Sequence, residues 1–434
     1  MEHPEHQRAA APRTGLWRKL EWAAAGLSLF IVSGAVFPLL MLAPDEILDD
    51  AERARLRLLQ LPCYAITILL LSRHRTQLVV ACLRNLPMLL LLAMPMVSAL
   101  WSISGSLTLR REFALLMSML LALLLVVRFS PRQQMLLFGG LLGLLTALSM
   151  MLGVVAPGMA HAPGESALRG LFVHKNVLGW VASLSVCFAL AMLQDALRGI
   201  RRLGLLLLAT GLAGTLMSES MTSLVAASVA MAAAVVFTVI AQRRGAARLV
   251  LGIIAVQVAI ILVALLASFY QPLLEAMGKD ATLTGRVPLW RQVDPWILER
   301  PLLGYGYGAF WSDADPIAWQ IWSHIGWKAP HAHNGYRDLM LNFGLVGAAV
   351  FALAVLQAAW RAFALLAAEP GAGWLWCNVV IVVSLFLNLS ESTFLVQNDL
   401  IWLLVSTAMM TVSYRHAALA ARLQRHSRIG ASAI

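Results

Sequence analysis

Residues 113–155 read FALLMSMLLALLLVVR, then FSPRQQ, then MLLFGGLLGLLTALSMMLGVV. Two unbroken apolar runs flank a short break, and Arg128 and Arg132 sit at that break. A bilayer core about 30 Å thick takes roughly 20 residues of apolar helix. The stretch therefore reads as a helical hairpin that crosses a membrane twice, with its turn on the positively charged, cytoplasmic side.

Working outward, the same reading gives spans near 22–43, 58–72, 86–101, 113–128, 135–155, 176–194, 203–217, 222–241, 249–270, 336–360, 373–389 and 399–414. The runs at 58–72 and 203–217 are short, so tilt or a re-entrant path is open there. The first run is too long for a cleaved signal, and no small-residue cleavage site follows it. Composition agrees. Of 434 residues, 60% are hydrophobic and 13% charged, with mean hydropathy +0.77, whereas a soluble domain carries about 25% charged residues. A cytoplasmic enzyme and a DNA-binding domain are excluded, and the net charge of +11 is a topology signal before it is a nucleic-acid one. Cys63, Cys82, Cys187 and Cys377 stand singly in apolar surroundings and form neither a zinc pattern nor a disulfide framework.

The charges order the loops. Arg8, Arg13, Arg18 and Lys19 precede the first span. Alternate loops then carry Arg73/Arg75/Arg84, Arg128/Arg132, Arg198/Arg201/Arg202, Arg243/Arg244/Arg248 and Arg361, and the tail carries Arg415, Arg422, Arg425 and Arg428. The loops between are mixed or acidic, as with Asp45, Glu46, Asp49, Asp50 and Glu52. The expectation is an all-α polytopic membrane protein of about 12 transmembrane helices with both termini cytoplasmic. Its units are helices 1–9 with the N-terminal tail (1–270), a large outer loop (271–335), helices 10–12 (336–414) and a basic cytoplasmic tail (415–434). The loop, rich in Trp and Pro, reads as ordered, with short surface helices at 285–299 and 315–328.

Positive-inside sorting leaves Arg53, Arg55, Arg57, Arg110, Arg111, Arg169, Lys175, Lys279, Arg286, Arg291, Arg300, Lys328 and Arg337 on the outer side, many without a local acid. Cations gathered there suit an anionic, membrane-tethered ligand such as a lipid pyrophosphate, although headgroup contact or solvation also accounts for any one of them. In Gly170–Asn176 (GLFVHKN), Lys175 opposes the helix dipole and asks for a compensating anion. With Asn176 it makes a phosphate seat, unless Asn176 simply caps the helix. Arg286 and Arg291 are placed to grip different oxygens. The run Pro301–Gly308 (PLLGYGYG) lacks a Walker ending and reads as a tight turn with close backbone packing. His331 and His333 have a spacing that suits a metal, but no third ligand or acidic partner stands nearby in the chain. A neutral histidine among cations at the boundary is a candidate general base. Glu391, just before the last span, is placed to pair with an outer arginine.

In order and spacing these segments resemble the bacterial O-antigen ligase and polysaccharide polymerase superfamily. The segments are Gly170 to Asn176; Ser218, Ser220, Thr222 and Ser223; Gly285, Arg286 and Trp290; Pro301 to Gly306; and His333, Asn334, Gly344 and Gly347. They cover roughly residues 100–405, and the His-Lys-Asn segment with the ending at Glu391, Asn398 and Trp402 is most like the exopolysaccharide-polymerase branch. The pattern departs at Met221, where members usually carry Arg or Lys, which leaves Lys175 or Arg169 to substitute.

The resemblance implies an inner-membrane glycosyltransferase with its active site facing the periplasm and no metal or other cofactor. The donor would be an undecaprenyl-pyrophosphate-linked glycan. The acceptor would be a second glycan for a polymerase, or lipid A–core for a ligase. Membrane lipids and a chain-length regulator are the further partners, and nucleic acid is not one. His333 and Arg286 are the expected catalytic pair. Arg291, Lys175, Asn176, Arg169, His331, Asn334 and Glu391 are the expected substrate contacts. A transporter of lipid-linked sugars is a third reading, disfavoured by spans that are nearly free of charge.

Overall fold

A computed structural model describes residues 15–35, 37, 50–162, 164–276, 285–313 and 315–431. The expectations placed on Arg8, Arg13, the acids at 45–49 and Lys279 lie outside the described residues. So do those on the side chains of Arg53, Arg55, Arg57, Arg422, Arg425 and Arg428.

The chain is a helical bundle. In order it forms α1 (Gly15–Val32), α2 (Asp50–Leu71), α3 (Arg75–Arg84), α4 (Leu86–Ser98), α5 (Gly105–Arg128) and α6 (Pro131–Val155). There follow the single turn α7 (Pro157–Ala160), α8 (Lys175–Leu193), α9 (Arg198–Met217), α10 (Met221–Ala241) and α11 (Gly245–Ala276). Last come α12 (Arg286–Glu299), α13 (Pro316–Ile325), α14 (Gly335–Ala368), α15 (Leu375–Leu387) and α16 (Leu400–Ala431). A helix lies in each of the twelve expected segments. Among the described residues, six stretches are long and apolar enough to cross a membrane, and Leu86–Ser98, Gly245–Ile261 and Leu375–Leu387 are shorter apolar helices. The two short runs gain length because their helices continue into charged residues. α9 starts at Arg198, and a 3₁₀ turn at Ser72–His74 joins α2 to α3.

Burial identifies the inner helices. Residues 121–127 of α5, most of α8, residues 375–383 of α15 and residues 400–413 of α16 are almost entirely enclosed. α8 is packed by α6, α9 and α10. Close approach to α9 rests on small residues. A Cβ added at Gly211 would crowd the Ala182 carbonyl, and one at Gly204 the Ala189 carbonyl. Without a hydrophobic drive between helices in lipid, such small-residue seams set the packing. The outward faces of α9 and α10 expose Leu205, Leu206, Leu216 and Val235, a surface suited to lipid rather than to water.

Loops sort to two ends. At one end Arg132 pairs with Asp195 at 2.7 Å, Arg84 donates to the Tyr414 carbonyl, Arg361 donates to the Arg84 carbonyl, and Arg128 meets Glu21. These are the loops that carry the arginine excess. The opposite end gathers the segments around 99–104, 156–174, 217–220, 285–334 and 388–399.

That second end has a small core of its own. Leu289, Val293, Tyr305, Phe310, Ala318, Ile321 and Trp322 bury one another. α12 and α13 start within one residue of the expected 285–299 and 315–328, but α13 stops at Ile325 because Gly326 takes φ 78 and ends the helix. The segment Pro301–Gly308 anchors this core to the bundle. Trp101 Nε1 donates to Leu303 O (2.9 Å), the Thr108 hydroxyl to Tyr307 O (2.9 Å), the Tyr307 N–H to Ser98 Oγ (3.0 Å), and Arg111 to Gly308 O.

The same segment inserts into a break in α14. Gly344 has φ 58 and ψ −156 in the middle of that helix. Donors and carbonyls freed on either side are taken by the intruding strand of chain: Tyr305 N to Leu341 O (2.7 Å), Gly306 N to Asn342 O (3.2 Å) and Leu345 N to Pro301 O (2.7 Å). Buried backbone groups cannot go unpaired at membrane depth, so the glycines of 301–308 and Gly344 belong to one junction.

Candidate active site

α12 begins at Arg286, α14 begins at Gly335, and the turn between α15 and α16 carries Glu391. The junction brings all three starts together. Arg286 Nη2 donates to Glu391 Oε1 at 2.7 Å, with the Arg286 side chain 15% and the Glu391 side chain 4% exposed. His333 Nδ1 lies 3.9 Å from the other oxygen, Oε2. That is too long for a hydrogen bond and short enough for strong charge interaction. Both ring nitrogens of His333 are shielded and have no hydrogen-bond partner. Its backbone has φ 49, the left-handed region that a non-glycine residue rarely occupies. A strained residue with an unspent polar side chain is a mark of a functional position.

Neighbouring groups hold that geometry. His331 Nδ1 accepts the His333 N–H at 3.1 Å, so a neutral His331 carries its proton on Nε2. Burial, with His333 and Arg286 alongside, holds His331 well below the usual histidine range. Asp338 accepts from Trp311 Nε1 (2.8 Å), from the Ala332 N–H (3.0 Å) and from Ser392. It thereby ties the histidine segment to the Glu391 turn. Asp338 follows His333 by only five residues in the chain, whereas Glu391 is remote; in space both lie against the histidine segment. Asp338 went unread, although one acid in the first turn of a long apolar helix was a usable signal. Among the described residues, no three His, Cys, Asp or Glu side chains are grouped to hold a metal.

Several expected contacts stand elsewhere. Asn334 caps α14: its Oδ1 accepts the N–H groups of Tyr336 (3.1 Å) and Arg337 (3.0 Å), and its Nδ2 donates to Leu389 O (2.9 Å). Its amide is thus engaged by the fold. Arg291 is exposed on α12 and makes no ion pair among the described residues. Lys175, Asn176 and Arg169 form a second group at the start of α8. There Lys175 Nζ meets Glu165 at 2.9 Å, so its compensating anion comes from the loop, and this contact draws Glu165 below the usual carboxylate range. Asn176 does not cap the helix; His174 does, with Nδ1 accepting the Asn176 N–H at 3.1 Å. Arg169 Nε is shielded and without a partner. The unpaired outer cations are fewer than the sequence suggested, since Arg337 pairs with Asp294 through two bonds and Lys328 pairs with Asp313.

Residues 203–352 match the family model described as O-antigen ligase. The match spans about a third of the chain. That segment holds four of the five motifs that carry the resemblance, Ser218–Ser223, Gly285–Trp290, the glycine run and His333–Gly347; the fifth, Gly170–Asn176, lies outside it, as does Glu391. A curated relative, the exopolysaccharide production protein ExoQ of Rhizobium meliloti (strain 1021), is 35% identical over 206 residues. The alignment covers 45% of this chain and 46% of that protein, so the chain spans about half the length of the relative it matches. Together with the apolar helices, these findings describe a multi-pass membrane protein that is similar to the O-antigen ligase family over residues 203–352 and to ExoQ over about half its length.

Proposed function

We propose that the chain is a glycosyltransferase of the bacterial inner membrane. It would join undecaprenyl-pyrophosphate-linked oligosaccharide repeat units into exopolysaccharide or O-antigen at the periplasmic face, with both termini cytoplasmic. The observation that carries this reading is the meeting of Arg286, Glu391 and a strained His333 at the mouth of the 285–335 segment.

The chemistry follows from those groups. Pyrophosphate is a good leaving group, so the protein mainly has to neutralise the charge that develops on it. Arg286 uses one N–H on Glu391 and keeps further donors of its planar fork for phosphate oxygens. Arg291, Arg169 and Lys175 supply more distant positive charge. His333 Nδ1 is turned toward Glu391, and Nε2, shielded and unpartnered in the fold, is the nitrogen that would take the acceptor hydroxyl proton once side chains over it move aside. The acceptor oxygen attacks the anomeric carbon, its proton passes to Nε2, and the bond from that carbon to the pyrophosphate oxygen breaks. Glu391 then stabilises the imidazolium, and a single displacement inverts the anomeric centre. No step asks for a metal.

The relative's printed name, exopolysaccharide production protein, supports the polymerase. The description of the matched family model, O-antigen ligase, favours the second reading, in which the acceptor is lipid A–core. Transport of the lipid-linked sugar gains no support from the Arg286–Glu391–His333 group, which lies at one end of the bundle. A deletion strain separates the two enzymes. Single repeat units on the carrier with no polymer indicate the polymerase; full-length polymer on the carrier with bare lipid A–core indicates the ligase. His333→Ala should abolish product at normal expression and membrane insertion, and normal product from that variant would remove the proposed base.

A further inference from the structure

The outer segment holds six tryptophans, and four of them are structural pins. Trp290 donates to Ala332 O (2.8 Å), Trp311 to Asp338 (2.8 Å), Trp319 to Asp313 O (2.7 Å) and Trp322 to Ala329 O (2.8 Å). Cations cover three of these rings: Arg337 lies over Trp290, and Lys328 over Trp319 and Trp322.

Trp327 makes no indole hydrogen bond among the described residues, a trait it shares with the half-buried Trp296, but Trp327 is 37% exposed, and among the described residues no cation lies over its ring. Its ring centroid is 5.6 Å from that of His333, tilted by 55°. A Cβ on Gly285, the residue before Arg286, would stand 3.7 Å from the indole nitrogen. Trp327 therefore lies beside the proposed base and close to the residue that precedes the proposed phosphate cation. Gly326, in a left-handed turn at φ 78, ends α13 and delivers it there.

We propose that Trp327 is the stacking platform of the acceptor sugar. The claim rests on the reading of His333 as the base. A pyranose has one face of C–H bonds, which packs against the electron-rich face of an indole, and hydroxyls round its edge. On Trp327 such a ring would present an edge hydroxyl to His333 Nε2 while the indole N–H takes a second hydroxyl. An apolar surface with a few convergent polar groups is the usual make-up of a small-ligand site. The platform selects for a sugar with an uninterrupted C–H face and leaves the identity of its substituents to other residues.

The test uses the full chain in nanodiscs and, as probe, the oligosaccharide released by mild acid from the strain's own lipid carrier. Saturation-transfer NMR should show protein contact on the ring protons of one sugar in wild type. That contact should vanish in Trp327→Ala and persist in Trp327→Phe, which keeps a stacking face. Transfer assays with the lipid-linked glycan should show the half-saturation concentration of acceptor rising by about tenfold or more in Trp327→Ala, with kcat within about threefold and recovery in Trp327→Phe. Contact and half-saturation unchanged in Trp327→Ala would overturn the assignment and leave the proposed function standing, provided His333→Ala is inactive. An active His333→Ala would remove the proposed base itself, and the platform with it.

Discussion

Glu391→Gln is the sharpest perturbation the structure offers, because it removes one charge and almost no volume. The glutamine can still accept from Arg286, so what is lost is the negative charge between two basic groups. Glu391 Oε2 lies 3.9 Å from His333 Nδ1. Two unit charges about 4 Å apart attract by about 4 kcal/mol at an effective dielectric of 20. Some water reaches His333, whose side chain is 20% exposed, so about 2–4 kcal/mol of imidazolium stabilisation is at stake. That corresponds to a transfer rate lower by about 30- to 1000-fold. The half-buried Arg286 is left without its counter-charge, a change that costs about 1–3 kcal/mol of stability. The rate therefore has to be normalised to folded protein. The assay is initial transfer of lipid-linked glycan in nanodiscs, with folded fraction read by fluorescence-detected size exclusion. Glu391→Asp keeps the charge at longer reach and should recover part of the loss. A well-folded Glu391→Gln within threefold of wild type would refute the role of Glu391 at His333.

Three further outcomes follow from the same junction. Arg286→Lys keeps the charge but loses the planar fork, and about 1.5–3 kcal/mol of charged hydrogen bonding should go with it; full transfer activity in that variant would contradict the phosphate role. Gly344→Ala forces a side chain into φ 58, ψ −156 and against the Leu302 carbonyl. The melting temperature should fall by an amount equivalent to about 3 kcal/mol or more, and an unchanged melt would contradict the break in α14. His331 is held neutral in the fold while its unfolded form takes up a proton near pH 6.5. The unfolded chain then binds more protons, so stability is full above about pH 6.5 and declines as pH falls below it, by up to about 1.4 kcal/mol per unit. His331→Asn retains an acceptor for the His333 N–H and should flatten that decline in melts between pH 7 and 5.5; an identical slope would exclude His331 as its source.

Much of this was readable from the chain. Apolar runs and alternating arginines placed the helices, since both signals are local in sequence. The motif residues Arg286 and His333 and the acid Glu391 were readable too, because each stands at a helix start or turn with a charge that sorting by side does not explain. Their meeting was not readable, because Arg286 and Glu391 are 105 positions apart. For the same reason Lys175 looked unpaired although Glu165 faces it across a folded loop. The roles of Asn334 and Asn176 turned on which side chain wins each helix cap. Asparagine takes α14, and at α8 a histidine two residues earlier displaces it, a choice decided by backbone angles that residue type alone does not give.

The interruption of α14 at Gly344 has a consequence for how the molecule is made. The lone backbone groups on either side of that glycine find partners only once Pro301–Gly308 has arrived, and that segment is translated first. Bundle and outer segment therefore cannot mature as separate modules. The inserted helix stays incomplete until the loop threads in, and the loop has no rigid frame until the helix receives it. Completion of the bundle and assembly of the Arg286–His333–Glu391 group are one event, so a chain that has finished folding has also finished building its site.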